Sequence, residues 1–317
     1  MLGRENMILN TGNRTDIPAF YSEWFYNRIE DGFVFARNPY NPQQVTRYLL
    51  EPETIDCITF CTKNPKPMLA DLDRLYRFRQ FWAVTITPYG DDIEPYVPPK
   101  EEVMGSFCTL SEKLGKKSVC WRYDPILITE KYTVDYHIEA FSQMAADLSA
   151  HTDSCVISFL DLYEKTKRNF PEGRAVTREE RLAIGQAFAE IGKRYGIEIF
   201  TCAEGDELAQ FGMNTTGCQS RQVLEKAIGL PLEVPKSAMT REECQCVLGC
   251  DIGTYHSCGH GCLYCYANHD RKTVEENMAK HDPEAPFLIG GFMDGDIIKS
   301  AEQKSWIREQ ISFDDIL

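Results

Sequence analysis

The chain has 317 residues, of which 43% are hydrophobic and 26% charged, so it can form a folded core and is not a disordered or low-complexity protein. With 48 acidic and 34 basic residues its formal net charge is −14, which disfavours general binding to nucleic-acid backbones. No apolar run approaches the roughly 18 residues of a membrane helix, and residues 1–6 lack an apolar signal core. The sequence therefore predicts a cytoplasmic protein with no membrane partner.

Seven short runs rich in β-branched and aromatic residues predict strands, and segments with helical periodicity lie between them. The strand runs are 7–10, 33–37, 55–62, 81–87, 118–123, 154–160 and 197–202, and the helical segments are 42–50, 68–79, 100–114, 134–150 and 177–195. The clearest helix begins after Thr177, with Glu180 at the capping-box spacing, and is followed by Gly196.

This alternation predicts a parallel sheet with crossover helices. Seven units in about 200 residues favour a TIM-like (β/α) barrel of about seven or eight units. An open doubly wound sheet is disfavoured, because no Gly-x-Gly-x-x-Gly fingerprint follows the first strand. The pattern changes near residue 205, so we expect a barrel domain at 1–204 and a C-terminal cysteine-rich extension at 205–317 that packs on the barrel.

Polar residues that follow the predicted strands are candidates for the active site, because barrel enzymes place their active groups there. These candidates are Arg14, Lys63, Asn64, Arg122, Asp124 and Glu204. Arg122 and Asp124 leave one strand on the same side with opposite charges, which fits either an internal ion pair or a site for an anion. The segment 164–174 is locally basic and could receive an anionic substrate.

The 13 cysteines are an odd number that fits a reducing compartment better than a secreted disulfide scaffold. The strongest motif is 257–266, where Cys258, Cys262 and Cys265 have the spacing C-x3-C-x2-C. Three thiolates on one glycine-containing loop can each bind one iron of a 4Fe-4S cluster and leave one iron open to a ligand. The alternative is a zinc site that takes His256, His260 or His269 as its fourth ligand.

A second group of cysteines indicates another metal site, for which the alternative is unpaired thiols. Cys202 ends a predicted strand, Cys218 lies in a turn, and 244, 246 and 250 are spaced C-x-C-x3-C, which fits no zinc knuckle. We predict a second four-thiolate cluster with Cys202, Cys218, Cys244 and Cys246 as its ligands.

The run Cys258-x3-Cys262-Leu263-Tyr264-Cys265 resembles the signature of radical S-adenosylmethionine (SAM) enzymes. The resemblance implies that the three cysteines hold a 4Fe-4S cluster whose open iron chelates SAM, and that Tyr264 lies near the adenine. It also implies reductive cleavage of SAM to a 5′-deoxyadenosyl radical, with an electron donor such as flavodoxin or ferredoxin. In most of these enzymes the cysteines follow the first strand, whereas here they come after seven predicted strands. No Gly-Gly-Glu follows a second strand.

Longer phrases, at 13–19, 62–65, 121–126 and 251–255, resemble a bacterial family described only as a domain of unknown function. Two of them, Lys-Asn-Pro at 63–65 and Arg-Tyr-Asp-Pro-Ile at 122–126, are also similar to the spore photoproduct lyase and DNA repair photolyase branch of radical SAM proteins.

We therefore expect a radical SAM-like iron-sulfur enzyme. Arg14, Lys63, Arg122 and Glu204 are the candidate catalytic or substrate contacts, and Asn64, Asp124 and Tyr264 are the candidate cofactor contacts. The substrate would be a small or phosphorylated molecule, with a nucleic acid left open. The alternatives are a non-catalytic 4Fe-4S protein for electron transfer or redox sensing, and a zinc-stabilised barrel hydrolase that uses Asp124 and Glu204 as acids.

Overall fold

A computed structural model describes residues 7–235, 239–241, 244–247 and 249–308, without the side chains of 239–241, 244 and 245. Its strands are β1 (Ile8–Asn10), β2 (Phe33–Arg37), β3 (Gln44–Leu49), β4 (Cys57–Thr62), β5 (Gln80–Thr85), β6 (Val119–Ile126), β7 (Ser154–Phe159), β8 (Glu198–Thr201), β9 (Met239–Arg241), β10 (Cys244–Val247), β11 (Cys250–Asp251) and β12 (Ile297–Ser300). Its helices are α1 (Ile17–Phe20), α2 (Ser22–Asp31), α3 (Lys100–Leu114), α4 (Val134–Leu148), α5 (Glu164–Asn169), α6 (Arg178–Tyr195), α7 (Arg221–Ile228) and α8 (Arg271–Met278). Within these ranges, no helix has the length and apolar character that crossing a bilayer requires.

Seven parallel strands form the main sheet, in the order β11-β1-β4-β5-β6-β7-β8. The central strand β5 is buried along its whole length, as expected for a strand that is covered on both faces. A separate three-stranded sheet has the order β12-β3-β2. The protein is therefore an α/β fold in which the loops after all main-sheet strands leave the sheet at one end.

The predicted TIM-like barrel is wrong. In the described part of the chain, the edge strands β8 and β11 do not pair with each other. Backbone hydrogen bonds to Asn214 occupy the outer edge of β8 instead: the amide of Thr201 donates to the carbonyl of Asn214 over 2.9 Å, and the amide of Asn214 donates to the carbonyl of Ile199 over 2.9 Å. The predicted strand 33–37 is also outside the main sheet, and β11 supplies the seventh main-sheet strand. The domain boundary between 204 and 205 stays a prediction.

Local sequence signals predicted most elements and failed where distant pairing decides the structure. The helices predicted at 100–114, 134–150 and 177–195 are α3, α4 and α6, and the capping box of α6 is confirmed. The segment 42–50 was predicted as a helix but contains β3, because β2 and β12 pair with its backbone on both sides. The predicted helix 68–79 contains a 3-10 turn at Leu72–Leu75 and the end of another, Lys66–Met68, in place of an α-helix.

The two faces of the main sheet carry different apolar layers. On one face, Trp121 of β6 stacks on Phe141 of α4, with ring centroids 4.7 Å apart, and Phe141 stacks on Phe188 of α6 at 3.7 Å. Side chains alternate along a strand, so Cys120 points to the opposite face. There it belongs to a smaller cluster of buried residues that also includes Cys218 and Cys246.

We predict opposite stability effects for two helical glycines. A Cβ on Gly192 of α6 would lie 2.6 Å from the carbonyl oxygen of Ile197, whereas a Cβ on Gly105 of α3 would meet no heavy atom within 4 Å. Gly192→Ala should therefore lower the free energy of unfolding by about 1–3 kcal/mol. Gly105→Ala should raise it by about 0.5–1 kcal/mol. Denaturant unfolding of both variants tests this, and a neutral Gly192→Ala would contradict close packing of α6 on β8.

Candidate functional site

A cavity of about 490 Å³ lies at the carboxyl ends of the main-sheet strands, where residues after β1, β4, β7 and β8 and residues of the second half of β6 form part of its wall. Among the residues whose side chains are described, seven cysteines line it: Cys61, Cys202, Cys218, Cys246, Cys258, Cys262 and Cys265. Five of the other predicted site residues also line it: Arg14, Lys63, Arg122, Asp124 and Tyr264. The structure thus brings both predicted cysteine groups to one cavity.

Residues 257–266, here called the cysteine loop, follow β11 and pack against the segment 93–96. The amide of Leu263 donates to the carbonyl of Ile93 over 3.0 Å, and the amide of Tyr96 donates to the carbonyl of His260 over 3.2 Å. Gly261 has a left-handed φ of 68°, and a Cβ there would lie 2.7 Å from Cδ2 of Tyr96. Glycine is required here for both reasons.

The buried carboxylate of Glu94 links the cysteine loop to the sheet. Its side chain has 0% exposure. It accepts hydrogen bonds from Lys63 Nζ over 2.8 Å, from Thr87 Oγ1 over 2.7 Å, and from Lys100 and the hydroxyl of Tyr264. Burial alone would raise the pKa of Glu94, but Lys63 and Lys100 outweigh burial and lower the pKa to about 2.

A second buried contact fixes His260 of the cysteine loop. Its Nε2 lies 2.8 Å from Oδ2 of Asp16, and the same oxygen accepts from the amide of Lys63 over 2.8 Å. His260 is only 3% exposed. The contact therefore fixes His260 against the loop after β1. For the zinc alternative, no histidine among the described residues forms a close ligand group with Cys258, Cys262 and Cys265.

The three thiols of the cysteine loop are half-buried, and their surroundings raise the pKa of each. Burial raises the pKa of Cys258 well above its usual range and that of Cys262 to about 12, although Lys63 partly offsets the shift at Cys262. A metal that binds here must displace the thiol protons. The amide of Ala267 already donates to Sγ of Cys265 over 3.3 Å.

Three of the four cysteines predicted for the second cluster meet at the cavity wall. Sγ of Cys218 lies 3.5 Å from Sγ of Cys202 and 3.5 Å from Sγ of Cys246, and the three sulfur atoms lie within 4.8 Å of one another. Hydrogen bonds with Cys202 and Cys246, together with the Arg122 guanidinium, lower the pKa of the Cys218 thiol well below its usual range. Cys244 lies in β10, but its side chain is outside the described residues.

Arg122 and Asp124 form the ion pair that was one of the two predictions for them. Asp124 also accepts a hydrogen bond from the hydroxyl of Ser158. Nη1 of Arg122 lies 3.3 Å from Sγ of Cys61, and its Nε is buried without a hydrogen-bond partner. One guanidinium therefore contacts both a carboxylate and a thiol at the cavity wall.

The remaining predicted residues have local partners. Arg14 Nη1 donates to the carbonyl of Gly253 over 3.3 Å at the cavity wall. Asn64 and Glu204 are not among the lining residues. Asn64 Oδ1 accepts from the amide of Lys66, and Glu204 Oε1 accepts from the amide of Phe159 over 2.8 Å. Burial raises the pKa of Glu204 to about 7.

The basic segment 164–174 packs against the residues that follow the cysteine loop. Its first part is α5, and Arg168 of this helix donates to the carbonyl of His269. Lys167 pairs with Glu164 at 2.9 Å, and Arg174 pairs with Glu180 at 2.6 Å. Most of these charges are therefore engaged within the protein.

Sequence analysis missed two residues of the site, Cys61 and Glu94. Cys61 is near the end of β4, in the buried run 57–62, where a thiol usually acts as a small hydrophobe. Glu94 is in an irregular segment that no strand or helix pattern marks. The spacing of Lys63 and Lys100 along the chain gives no sign that both contact one carboxylate.

Comparison with known proteins identifies the family. A family model described as "Domain of unknown function (DUF1848)" matches residues 8–267, a range that contains the main sheet and the cysteine loop. The chain belongs to the DUF1848 family. This confirms the predicted resemblance to a domain-of-unknown-function family, while the similarity to radical SAM and photolyase proteins stays a prediction.

No curated protein matches the DUF1848 chain. A solved structure from Bacteroides thetaiotaomicron VPI-5482, described as an alpha-L-fucosidase, is similar at 11% sequence identity over 63% of this chain and 76% of that chain. Its TM-score of 0.28 is too low to indicate a shared fold or function.

We predict that the DUF1848 protein depends on the buried Glu94 for stability. Glu94→Gln leaves the ammonium groups of Lys63 and Lys100 without a carboxylate, which should lower the free energy of unfolding by about 3–5 kcal/mol at pH 7. The folded-state pKa of Glu94 is below its ordinary 4.5, so this contribution is present at neutral pH and is lost as the pH falls from 4.5 towards 2.

The matched control is Glu102→Gln, which removes the exposed Lys66–Glu102 pair and should cost less than about 1 kcal/mol. Chemical denaturation of both variants between pH 3 and pH 7 measures the difference. Equal losses in the two variants would contradict the structural role of Glu94.

Proposed function

We propose that this DUF1848 protein is a radical SAM-like iron-sulfur enzyme, in which Cys258, Cys262 and Cys265 hold a 4Fe-4S cluster and SAM binds in the adjoining cavity. The observation that carries the proposal is the position of the cysteine loop. The loop follows β11, which is late in the sequence but stands at the edge of the main sheet, beside β1. When the strands are counted across the sheet from the β11 edge, the cysteine loop follows the first strand. In most radical SAM enzymes the cysteines also follow the first strand.

The thiol donors of the cysteine loop fit a cluster. Soft thiolates are the ligands that iron-sulfur clusters take, and all three cysteines line the same cavity. When bound and reduced, such a cluster supplies the electron that cleaves SAM to methionine and a 5′-deoxyadenosyl radical. Lys63 places a positive charge near Cys262, where it favours the thiolate that a cluster needs.

The rest of the cavity wall fits a zwitterionic ligand with an aromatic base. Arg14 and Arg122 bring positive charge, and Asp124 and Asp161 bring negative charge. The tyrosines of the wall are Tyr163, Tyr255, Tyr264 and Tyr266. At about 490 Å³ the cavity is within the range of small-molecule sites, which supports a small organic substrate beside SAM.

The test is an anaerobic assay of SAM cleavage. The chain is reconstituted with iron and sulfide, dithionite and SAM are added, and 5′-deoxyadenosine is measured. We expect product from the wild type and none from Cys262→Ala. Cys108→Ala is the matched control, because Cys108 lies on α3 outside the cavity lining and should keep wild-type activity.

Two results would contradict the proposal. A cluster whose electron paramagnetic resonance spectrum does not change when SAM is added would favour the electron-transfer or redox-sensing alternative. A colourless protein that takes up zinc and no iron at the cysteine loop would favour a structural zinc site.

A further inference from the structure

The second group of thiols has a geometry different from that of the cysteine loop. Cys202 follows β8, Cys218 precedes α7 and Cys246 lies in β10, so three separate segments converge on one point. Their sulfur atoms lie within 4.8 Å of one another, and Cys218 is 3.5 Å from each of the other two. Among the described residues, no other group of three or more histidine, cysteine, aspartate or glutamate side chains brings its ligand atoms so close together.

The sulfur spacing distinguishes a single ion from a cluster. Thiolates that share one tetrahedral ion through bonds of about 2.3 Å stand about 3.8 Å apart. In a cubane each thiolate binds a different iron, so its thiolates stand farther apart than thiolates that share one metal. The Sγ–Sγ distances of 3.5 Å from Cys218 to Cys202 and to Cys246 are close to the spacing of thiolates that share a single ion.

The surroundings support thiolates at this point. The amide of Gln219 donates to Sγ of Cys246 over 3.3 Å, and Gln219 in turn bonds to Asn10 of β1. The positive charge of Arg122 acts on both Cys202 and Cys218. Hydrogen-bond donors and charges that orient the ligating sulfurs are typical of metal sites in proteins.

We propose that Cys202, Cys218 and Cys246 bind a single thiophilic divalent ion, Zn²⁺ or Fe²⁺, through their three thiolates at the cavity wall. Binding releases the remaining thiol protons to solvent. The site is separate from the cluster proposed for the cysteine loop and does not depend on that function. It replaces the second four-thiolate cluster that the sequence suggested.

The experiment uses the full chain with Cys258, Cys262 and Cys265 all changed to serine, so that any metal bound by cysteine comes from the other thiols. The purified reduced protein is titrated with Zn²⁺ and, separately, with Co²⁺ as a spectroscopic probe. We expect one ion per chain, no inorganic sulfide, and the sulfur-to-cobalt charge-transfer absorption of thiolate-bound cobalt.

In this background, Cys202→Ala and Cys246→Ala should each reduce binding to near zero. Cys120→Ala is the matched control, because Cys120 is buried in the same apolar layer as Cys218 and Cys246 but outside the thiol group, and it should keep the full stoichiometry. Circular dichroism of each variant separates loss of the site from loss of the fold. Cys202 is only half-buried, so its replacement should leave the fold intact.

Three results would overturn the proposal. The first is iron with an equal amount of sulfide at these residues, which would mean a cluster. The second is a disulfide between Cys218 and either neighbour, found by mass spectrometry, with no metal uptake by the reduced protein. The third is unchanged metal binding in a folded Cys202→Ala variant. None of these results depends on SAM cleavage, so they are distinguishable from a failure of the proposed enzymatic function.

Discussion

The site depends above all on the buried carboxylate of Glu94. One fully buried charge accepts hydrogen bonds from Lys63 after β4, from Lys100 at the start of α3, and from Tyr264 of the cysteine loop. A buried carboxylate is stable only when its partners compensate for its lost hydration, so all of these groups must be in place at once. The cysteine loop is thereby held to the sheet by an interaction that tolerates little displacement.

This arrangement depends on the pairing of two strands that are far apart in the sequence, β1 and β11. Strand β11 is more than two hundred residues from β1 in sequence, yet the two pair in register, with Leu9 opposite Cys250 and Asn10 opposite Asp251. The amide of Ile252 then donates to the carbonyl of Asn10 over 3.2 Å as the chain leaves the sheet. The cysteine loop consequently begins beside the loop after β1, and the Asp16–His260 contact connects the two loops.

The sequence predicted what local rules control. The caps of α6 and the limits of α3 depend on residues within one turn of the helix, and both are present in the structure. The pairing of β3 with β2 and β12, and of β8 with Asn214, depends on segments far apart in the chain. A periodicity argument has no access to such contacts, and for this reason the barrel was predicted in place of the open sheet.

The candidate site shows the same division. Cysteine is rare enough that its spacing and its position at strand ends pointed to Cys202, Cys218 and Cys246, which do converge. Lys63 was expected to contact a ligand because it follows a strand, but its ammonium group is bound to Glu94. A lysine after a strand has the same sequence signature in both roles, so only the partner distinguishes a ligand contact from a structural one.

The two thiol groups that face the cavity have different electrostatic surroundings. Beside the cysteine loop, the ammonium groups of Lys63 and Lys100 are accompanied by the carboxylates of Glu94 and Asp16. Beside Cys202, Cys218 and Cys246, the charge of Arg122 is balanced by Asp124, so that wall is close to neutral. The thiols reflect these surroundings: burial raises the pKa of Cys258 and Cys262, whereas hydrogen bonds with Cys202 and Cys246, together with Arg122, lower the pKa of Cys218. A metal at the cysteine loop would therefore have to displace firmly held protons, while the thiol at the centre of the second group gives up its proton more readily.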